Sequence, residues 1–251
     1  MTISHRTLGT GPHKVLVLHD WFGTSAAWGP FLDHLDPEAF GYAFLDYRGY
    51  GERLDVPGAF TLAEIAADAL ALADRLGWDT FSVVGHSMGG KAAQLVLAEA
   101  PRRVRKLAGI APVPASAYPL EGDAHDLFHG AARNPANRRA ILDLVTGNRA
   151  CGRWLDAMTA RSVAGSRPEA FASYLTDWST QDFAAKVAGS TLPVKVFVGE
   201  HDLALTPEAM RGTWLAHYPR AELEVLANSG HYPMYEIPVA FATTLEAFLR
   251  A

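Results

Sequence analysis

The sequence is poor in cysteine: Cys151 is the single one among 251 residues. An internal disulfide framework is therefore excluded, and a reducing compartment is the simpler expectation. Long hydrophobic runs are absent too, since no stretch approaches the roughly 20 apolar residues that cross a bilayer. The first residues lack the basic and apolar segments of a signal peptide. We therefore expect a soluble, cytoplasmic protein with no membrane partner.

Clusters of basic charge and of metal-ligating residues are also lacking. The formal net charge is -5, and no run of lysine or arginine provides the basic surface that binds nucleic acid. Neither an H-E-x-x-H motif nor a Cys/His cluster with zinc-ligand spacing occurs. No G-x-G-x-x-G follows a strand pattern, as nicotinamide binding requires. We expect no nucleic-acid partner, no metal and no cofactor, and the oligomeric state stays open.

The chain does contain a regular alternation of strand and helix patterns. Strands are predicted at 14–20, 42–47, 80–86, 105–112, 193–202 and 221–227. Helices are predicted at 61–77, 88–101, 206–219 and 238–251. Continuous apolar strands are typical of parallel sheets that are covered on both faces. The pattern therefore predicts an α/β fold with a mostly parallel sheet flanked by helices.

Residues 117–187 interrupt this alternation. They contain helical patterns but no convincing strand, and they are too long for a loop. We predict a helical cap insertion over the carboxyl edge of the sheet, where open α/β sheets bind ligands. The predicted core then comprises residues 1–116 and 188–251.

One short motif carries chemistry. Residues 85–89 read Gly-His-Ser-Met-Gly, which matches G-x-S-x-G, the strained strand-to-helix turn that exposes a nucleophilic serine. Such a short match is weak alone, but this one follows an apolar strand and precedes an apolar-periodic helix. Ser87 is the predicted nucleophile, and a plain helix N-cap is the alternative.

A serine hydroxyl needs a base, and the base needs a carboxylate that orients it. For this motif the expected chain order is serine, acid, histidine. Asp202 lies at the end of a predicted strand, and His231 lies between the last strand and the last helix. Both should emerge at the same sheet edge as Ser87. Glu121 and Asp123 are alternative acids, disfavoured because they lie far inside the insertion.

Five segments spread over the chain resemble the α/β-hydrolase superfamily, and within it the small cofactor-independent serine esterases with a helical cap. They read VLVLHDWFGTSAAW, LDYRGYGE, VVGHSMGG, VFVGEHD and NSGHYPMYEIP. The resemblance implies that Ser87 is the nucleophile, His231 the general base and acid, and Asp202 the orienting carboxylate.

The same resemblance implies an oxyanion hole. Its donors would be the backbone N–H of Met88, directly after the nucleophile, and that of Trp21. Asp20 stands where the family has glycine, so the loop conformation is expected to differ there, although aspartate tolerates left-handed conformations better than most residues. Phe22 is therefore an alternative donor. Arg53 is a second departure, since relatives commonly have serine there.

The insertion is rich in aromatic residues. Phe128, Trp154 and Trp178 are predicted to bind substrate, with Phe171 and Tyr174 as further candidates. The alternative is that these rings only hold the insertion's helices together.

The remaining notable side chains are expected to be structural. His86 and His19 are interpreted as packed residues, and His201 as facing solvent. Lys91 is interpreted as an ion-pair partner, and Cys151 as a small apolar residue of the insertion.

The favoured function is hydrolysis of a small ester or related acyl compound through an acyl-enzyme on Ser87. The alternatives are a carbon–carbon bond hydrolase or a hydroxynitrile lyase on the same residues, or a small-molecule receptor without turnover. Haloalkane dehalogenation is excluded, because it needs an aspartate at position 87.

Overall fold

A computed structural model describes residues 3–251. Seven strands form one sheet, in the spatial order β1-β3-β2-β4-β5-β6-β7. They are β1 His5–Leu8, β2 His13–Leu18, β3 Phe40–Leu45, β4 Phe81–His86, β5 Val104–Ile110, β6 Val194–Gly199 and β7 Ala221–Leu226. Only β1 is antiparallel to its neighbour. The predicted mostly parallel sheet is confirmed.

The edge strand β1 has no counterpart among the predicted strands. It spans only four residues, His-Arg-Thr-Leu, whose side chains are exposed or half-buried. Such a short polar stretch has no hydrophobic alternation. It becomes a strand by pairing with β3, with His5 opposite Leu45.

Helices cover the sheet. Outside residues 117–187 they are α1 Leu62–Arg75, α2 Met88–Glu99, α8 Pro207–Gly212, α9 Trp214–His217, α10 Pro233–Glu236 and α11 Pro238–Arg250. Short 3-10 helices occupy Gly29–His34 and Gly51–Arg53. The prediction of one helix over 206–219 is wrong, because Thr213 leaves the helical region (φ -123°, ψ -79°) and separates α8 from α9.

The predicted insertion, residues 117–187, is helical in the structure. It contains α3 Gly122–Gly130, α4 Pro135–Val145, α5 Gly152–Ala164, α6 Pro168–Thr180 and α7 Ala184–Val187, and no strand. One isolated bridge, Tyr50 to Ser166, joins it to the chain beside the sheet. Backbone bonds from Gly51 N to Gly165 O and from Arg167 N to Gly49 O, both 2.9 Å, flank that bridge.

Lys91 of α2 also ties the insertion to the sheet body. Its buried ammonium donates to the carbonyl oxygens of Ser116 (2.8 Å), Trp178 (2.9 Å) and Gln181 (2.6 Å). Burial lowers the pKa of Lys91 to about 8. Lys91 is therefore structural, as expected, but the predicted ion pair is wrong: its partners are backbone carbonyls.

The parallel strands place several loops together. The strands β2, β4, β5 and β6 run side by side, so their carboxyl ends meet at one edge of the sheet. Asp20 follows β2, Ser87 follows β4, and Asp202 and His231 follow β6 and β7. The fold thus gathers polar side chains from distant parts of the sequence at that edge. Within residues 3–251, no helix has the length and hydropathy to cross a membrane.

Candidate active site

Ser87 occupies a strained turn between β4 and α2. Its backbone has φ 54° and ψ -118°, a conformation that side-chain-bearing residues rarely adopt. Backbone bonds impose it: Ser87 N donates to Ile110 O (2.9 Å), and Val113 N donates to Ser87 O (3.0 Å). Strain held in this way is typical of functional positions.

The glycines of the motif are required by close backbone approach. A Cβ on Gly85 would lie 2.3 Å from Gly89 O, and one on Gly89 would lie 2.4 Å from Leu18 O. A Cβ on Gly90 would lie 2.3 Å from Pro112 Cβ. Since each contact is with backbone or a rigid ring, no larger residue fits without moving the turn. The G-x-S-x-G-G spacing is therefore a steric consequence of crossing β4 into α2.

His231 and Asp202 form a short hydrogen bond. His231 Nδ1–H donates to Asp202 Oδ2 at 2.6 Å, and both side chains are buried. The other carboxylate oxygen of Asp202 accepts from Ala204 N (2.9 Å) and Leu205 N (3.0 Å), which fixes the carboxylate. Because Nδ1 carries the proton, Nε2 of the neutral imidazole is the acceptor and is available as a base.

The electrostatic surroundings of His231 favour its protonated form. Burial is the largest single influence and opposes the charge, but the charge and hydrogen bond of Asp202, together with the charges of Asp20 and Glu236, outweigh it. The pKa of His231 is consequently raised above its ordinary value of 6.5.

The other histidines near the site take up structural contacts. His86 Nε2–H donates to His231 O (2.9 Å), and burial lowers the pKa of His86 to about 4. His19 Nδ1 bonds Asp20 O (2.7 Å), and its ring stacks on Tyr47 with centroids 3.7 Å apart. His201 is half-exposed and pairs with a neighbouring glutamate. These contacts agree with the packed and solvent-facing positions expected for them.

Ser87 and His231 line one cavity of about 230 Å³. No hydrogen bond joins Ser87 Oγ to His231 within residues 3–251. Most of the residues that line this cavity are apolar, and they come from the insertion and from the loops at the sheet edge. The walls contain no lysine, arginine, aspartate or glutamate. The cavity therefore suits an uncharged, apolar group next to the serine and the histidine.

Two of the three predicted aromatic residues line this cavity. Phe128 and Trp178 do so. Trp154 does not: its ring lies edge-on against Tyr232 (5.6 Å) and Tyr235 (5.7 Å) and borders a separate cavity. The prediction that Trp154 belongs to the same pocket needs correction, because α5 turns that ring toward the loop after β7.

The remaining insertion residues are also placed by packing. Phe171 and Tyr174 are fully buried outside the cavity, where the Phe171 ring stacks on Trp21 at 3.9 Å. Cys151 lies in the insertion, as expected, and is exposed. It precedes the first turn of α5, outside the packed face of that helix.

The structure also shows where the two alternative acids and Arg53 lie. Glu121 and Asp123 are exposed at the start of α3. Arg53 is buried, pairs with Asp68 at 2.8 Å and donates to Asp46 O at 3.1 Å. Its role in the fold is therefore structural.

The loop after β2 brings backbone donors to the site. Phe22 N–H is engaged, since it donates to Asp20 Oδ2 at 3.2 Å. Met88 is the first residue of α2, where a backbone N–H has no intrahelical acceptor. Asp20 is not among the described residues with positive φ, so the loop needs no left-handed residue at that position.

Tyr232 is a cavity residue that the sequence did not reveal. Its hydroxyl donates to Asp20 Oδ2 at 2.9 Å, and its ring lies 5.3 Å from that of His231. The available signal was its position directly after His231. Its partner Asp20 was visible only as a departure from the family pattern.

A family model described as alpha/beta hydrolase fold matches residues 14–238. The chain belongs to this family. The predicted α/β-hydrolase fold and the assignment as a hydrolase are thereby confirmed.

Relatives of similar length carry two kinds of activity in their names. The chain is 28% identical to a pimeloyl-[acyl-carrier protein] methyl ester esterase from Nitrosomonas europaea, covering 98% of this chain and 99% of the relative. It is 26% identical to a 2-hydroxy-6-oxononadienedioate/2-hydroxy-6-oxononatrienedioate hydrolase from Cupriavidus pinatubonensis, covering 96% and 88%.

Solved structures share the fold. An esterase from Exiguobacterium antarcticum superposes with a TM-score of 0.85 at 19% identity, covering 99% of this chain and 96% of that chain. Est816, described as an N-acyl homoserine lactone degrading enzyme, gives a TM-score of 0.80 at 24% identity, covering 98% and 96%.

Proposed function

We propose that this α/β-hydrolase cleaves an uncharged carboxylic ester through an acyl-enzyme on Ser87. The observation that carries the proposal is the 2.6 Å bond between His231 and Asp202 at a cavity that Ser87 also lines. A serine on a strained turn, a histidine of defined tautomer and a buried carboxylate are the groups that acyl transfer needs.

In the first half of the reaction Ser87 Oγ attacks the ester carbonyl carbon. His231 Nε2 takes the hydroxyl proton as the Oγ–C bond forms. The imidazolium that results is stabilised by the Asp202 carboxylate on Nδ1–H. When the tetrahedral intermediate collapses, the C–O bond to the alcohol breaks, and His231 Nε2–H protonates the departing oxygen.

The intermediate's oxyanion requires donors on the opposite side from His231. We assign the backbone N–H of Met88 and that of Trp21 to this role. Two facts support Trp21 over Phe22: the Phe22 N–H already donates to Asp20, and the Trp21 indole is held by a 2.8 Å bond to Phe171 O. Loss of one such donor typically costs about 3–4 kcal/mol of transition-state stabilisation.

Deacylation repeats the proton transfers with water as the nucleophile. His231 Nε2 removes a proton from water while the hydroxide oxygen attacks the acyl carbon. The bond between Ser87 Oγ and the acyl group then breaks, and His231 returns the proton to Ser87. The products are the free acid and the alcohol.

The cavity wall favours an ester over the dioate named in the second relative. A dioate has two carboxylates at neutral pH, and a buried carboxylate needs a cationic or hydrogen-bonding partner. The walls offer no lysine or arginine. The buried Arg138 of the insertion does not serve, because it does not line this cavity; its guanidinium donates to Ala131 O, Ser162 Oγ and Ser166 Oγ.

We also propose that the helical insertion acts as the cap of this site. Phe128 and Trp178 belong to it and line the cavity, and Lys91 attaches the end of α6 to the helix that follows Ser87. Both rings then contact the acyl group.

A matched pair of substrates tests the proposal. We expect wild type to hydrolyse p-nitrophenyl hexanoate, and Ser87→Ala to reduce the rate by at least about 10⁴-fold while the fold is retained. The mono-p-nitrophenyl ester of adipic acid has a chain of the same length that ends in a carboxylate. We expect it to be cleaved at least about tenfold less efficiently, because its charge meets no cation.

The pH dependence tests the base. His231 must be neutral to accept the proton, so kcat/KM should be low at acidic pH and rise as His231 deprotonates. Because the pKa of His231 is raised, the midpoint should lie above 6.5. Full activity of Ser87→Ala, or a rate independent of pH through this range, would contradict the proposal. A preference for the carboxylate-bearing ester would favour the dioate hydrolases instead.

A further inference from the structure

Asp20 places a second buried carboxylate at the site. The residue is 4% exposed and lies in the loop that follows β2. Its Oδ2 accepts hydrogen bonds from Phe22 N (3.2 Å) and Tyr232 Oη (2.9 Å). Its Oδ1 lies 3.8 Å from Nδ1 of His86, the residue before Ser87. One carboxylate therefore faces the predicted oxyanion loop, the residue after His231 and the residue before the nucleophile.

The loop is shaped around this carboxylate. A Cβ on Gly23 would lie 2.2 Å from Asp20 Oδ1. Asp20 O also accepts from Gly23 N (3.3 Å) and from His19 Nδ1 (2.7 Å). The Asp20 carboxylate therefore leaves no room for a side chain at position 23, and it lies inside the turn that contains Trp21.

Tyr232 connects Asp20 to the base. The Tyr232 ring lies 5.3 Å from the ring of His231 and 5.2 Å from that of His86, edge-on to both. Burial, reinforced by the charge of Asp20, raises the pKa of Tyr232 well above its ordinary value of 10.0. The phenol therefore stays protonated and donates to Asp20, which fixes the ring that forms part of the cavity wall.

We propose that Asp20 is a positioning residue for the hydrolysis, holding the oxyanion loop through Phe22 N–H and the wall beside His231 through Tyr232. The inference rests on the proposed function. With Phe22 N–H engaged by the carboxylate, Trp21 N–H is the donor of this loop that stays free for the oxyanion. A glycine at position 20, as in the related family pattern, provides neither bond.

Asp20 also contributes charge at the base. The groups facing His231 are Asp202 on its Nδ1, Asp20 across Tyr232, Glu236 of α10 and the neutral His86. The three carboxylates favour the imidazolium. Loss of the charge of Asp20 alone should therefore lower the pH at which His231 loses its proton.

Two substitutions separate the bonds from the charge. Asp20→Ala removes both hydrogen bonds, and we expect kcat for p-nitrophenyl hexanoate to fall about 10–100-fold with KM changed less than about threefold. Asp20→Asn keeps one oxygen that can accept both bonds. We expect it to lose less kcat than Asp20→Ala and to shift the midpoint of the pH profile to lower pH. Asp123→Asn removes one exposed carboxylate and serves as the control, with unchanged kcat and midpoint.

A third variant guards against a merely structural effect. Tyr232→Phe combined with Asp20→Ala removes the hydroxyl that Asp20→Ala leaves buried without a partner. We expect the double variant to recover part of the thermal stability lost in Asp20→Ala but not its kcat, because Phe22 N–H is still released. Recovery of wild-type kcat together with stability would overturn the positioning role.

NMR measurements test the proposed role of Asp20 independently of catalytic turnover. We expect the Phe22 amide proton to exchange faster in Asp20→Ala, and the titration midpoint of His231 to fall in Asp20→Asn. The inference would be overturned if both variants kept the wild-type kcat, the wild-type exchange rate of the Phe22 amide proton and the wild-type titration midpoint of His231. Hydrolysis that persists in Ser87→Ala would instead overturn the proposed function, and the two failures are thus distinguishable.

Discussion

The sheet edge and the helical insertion position their functional groups by different means. At the sheet edge the backbone sets the geometry: parallel strands end together, and Ser87 is held by the C=O of Ile110 and the N–H of Val113. In the insertion, contacts made by side chains set the geometry. Lys91 donates to the carbonyl oxygens of Trp178 and Gln181 in the insertion and to that of Ser116 directly before it. The Trp21 indole donates to Phe171 O of the insertion.

The difference predicts which kinds of substitution each region tolerates. A backbone-determined site depends on small residues at fixed spacing and on one or two hydrogen-bonded side chains. A site determined by side chains depends on long residues that reach across an interface. Changes at the sheet edge should consequently abolish the reaction, whereas changes in the insertion should alter stability and substrate preference.

The largest effect is expected at the carboxylate that orients the base. Asp202→Asn can present an N–H to His231 in place of the accepting oxygen, which favours the wrong imidazole tautomer. We expect kcat to fall by about 10⁴-fold with the fold intact. Asp123→Asn, the control at the disfavoured acid, should keep its rate. The reverse result in a steady-state assay would reassign the acid.

The next effect tests the backbone turn itself. Gly89→Ala would place a methyl group 2.4 Å from Leu18 O and 2.5 Å from His19 O. We expect it to destabilise the protein by about 2–3 kcal/mol and to remove most activity. Gly212→Ala, where no atom lies within 4 Å, should be neutral or slightly stabilising. Urea unfolding of both variants measures the difference, and equal stabilities would contradict the steric explanation.

Attachment of the insertion should matter less for the reaction than for stability. Lys91→Met leaves three carbonyl oxygens without their donor, and we expect a loss of about 2–4 kcal/mol in the free energy of unfolding. KM should rise more than kcat falls, because the Trp178 ring lines the cavity. Lys186→Met removes an exposed pair with Glu99 (3.2 Å) and should change stability by less than about 0.5 kcal/mol. Similar unfolding curves for the two variants would argue against the attachment.

The smallest effect concerns substrate preference. Trp178→Ala enlarges the cavity, and we expect kcat/KM to fall about tenfold for p-nitrophenyl acetate and less for longer acyl chains. Trp154→Ala should leave the order of preference unchanged, since that ring borders a different cavity. A series of p-nitrophenyl esters measures both. If Trp154→Ala rather than Trp178→Ala changed the preference, the assignment of the cavity would be wrong.

The same contrast explains what the sequence could predict. Ser87, Asp202 and His231 could be predicted to meet at one edge of the sheet because strand ends, glycine spacing and chain order can be read directly from the sequence. Trp154 and Trp178 both lie on helices of the insertion, and periodicity does not tell which helix face meets the sheet. The contacts of Lys91 were missed for the same reason, because its acceptors belong to segments far along the chain.

Asp20 is a residue that the sequence identified as unusual without revealing the contacts of its side chain. The sequence identified it as a departure from a family pattern, and the expected difficulty was its backbone conformation. The structure has no left-handed residue there, and the consequence lies instead in the side chain, which reaches Phe22 N and Tyr232 Oη. A single sequence contains no signal for a contact between residues 20 and 232.

The most direct test is covalent trapping followed by peptide mapping. Wild type treated with diethyl p-nitrophenyl phosphate should become inactive toward p-nitrophenyl hexanoate. The phosphoryl group should be found on Ser87 alone, and Ser87→Ala should take up none. Hydrolysis that continues while Ser87 stays unmodified, or modification of another residue in step with inactivation, would contradict a nucleophilic Ser87.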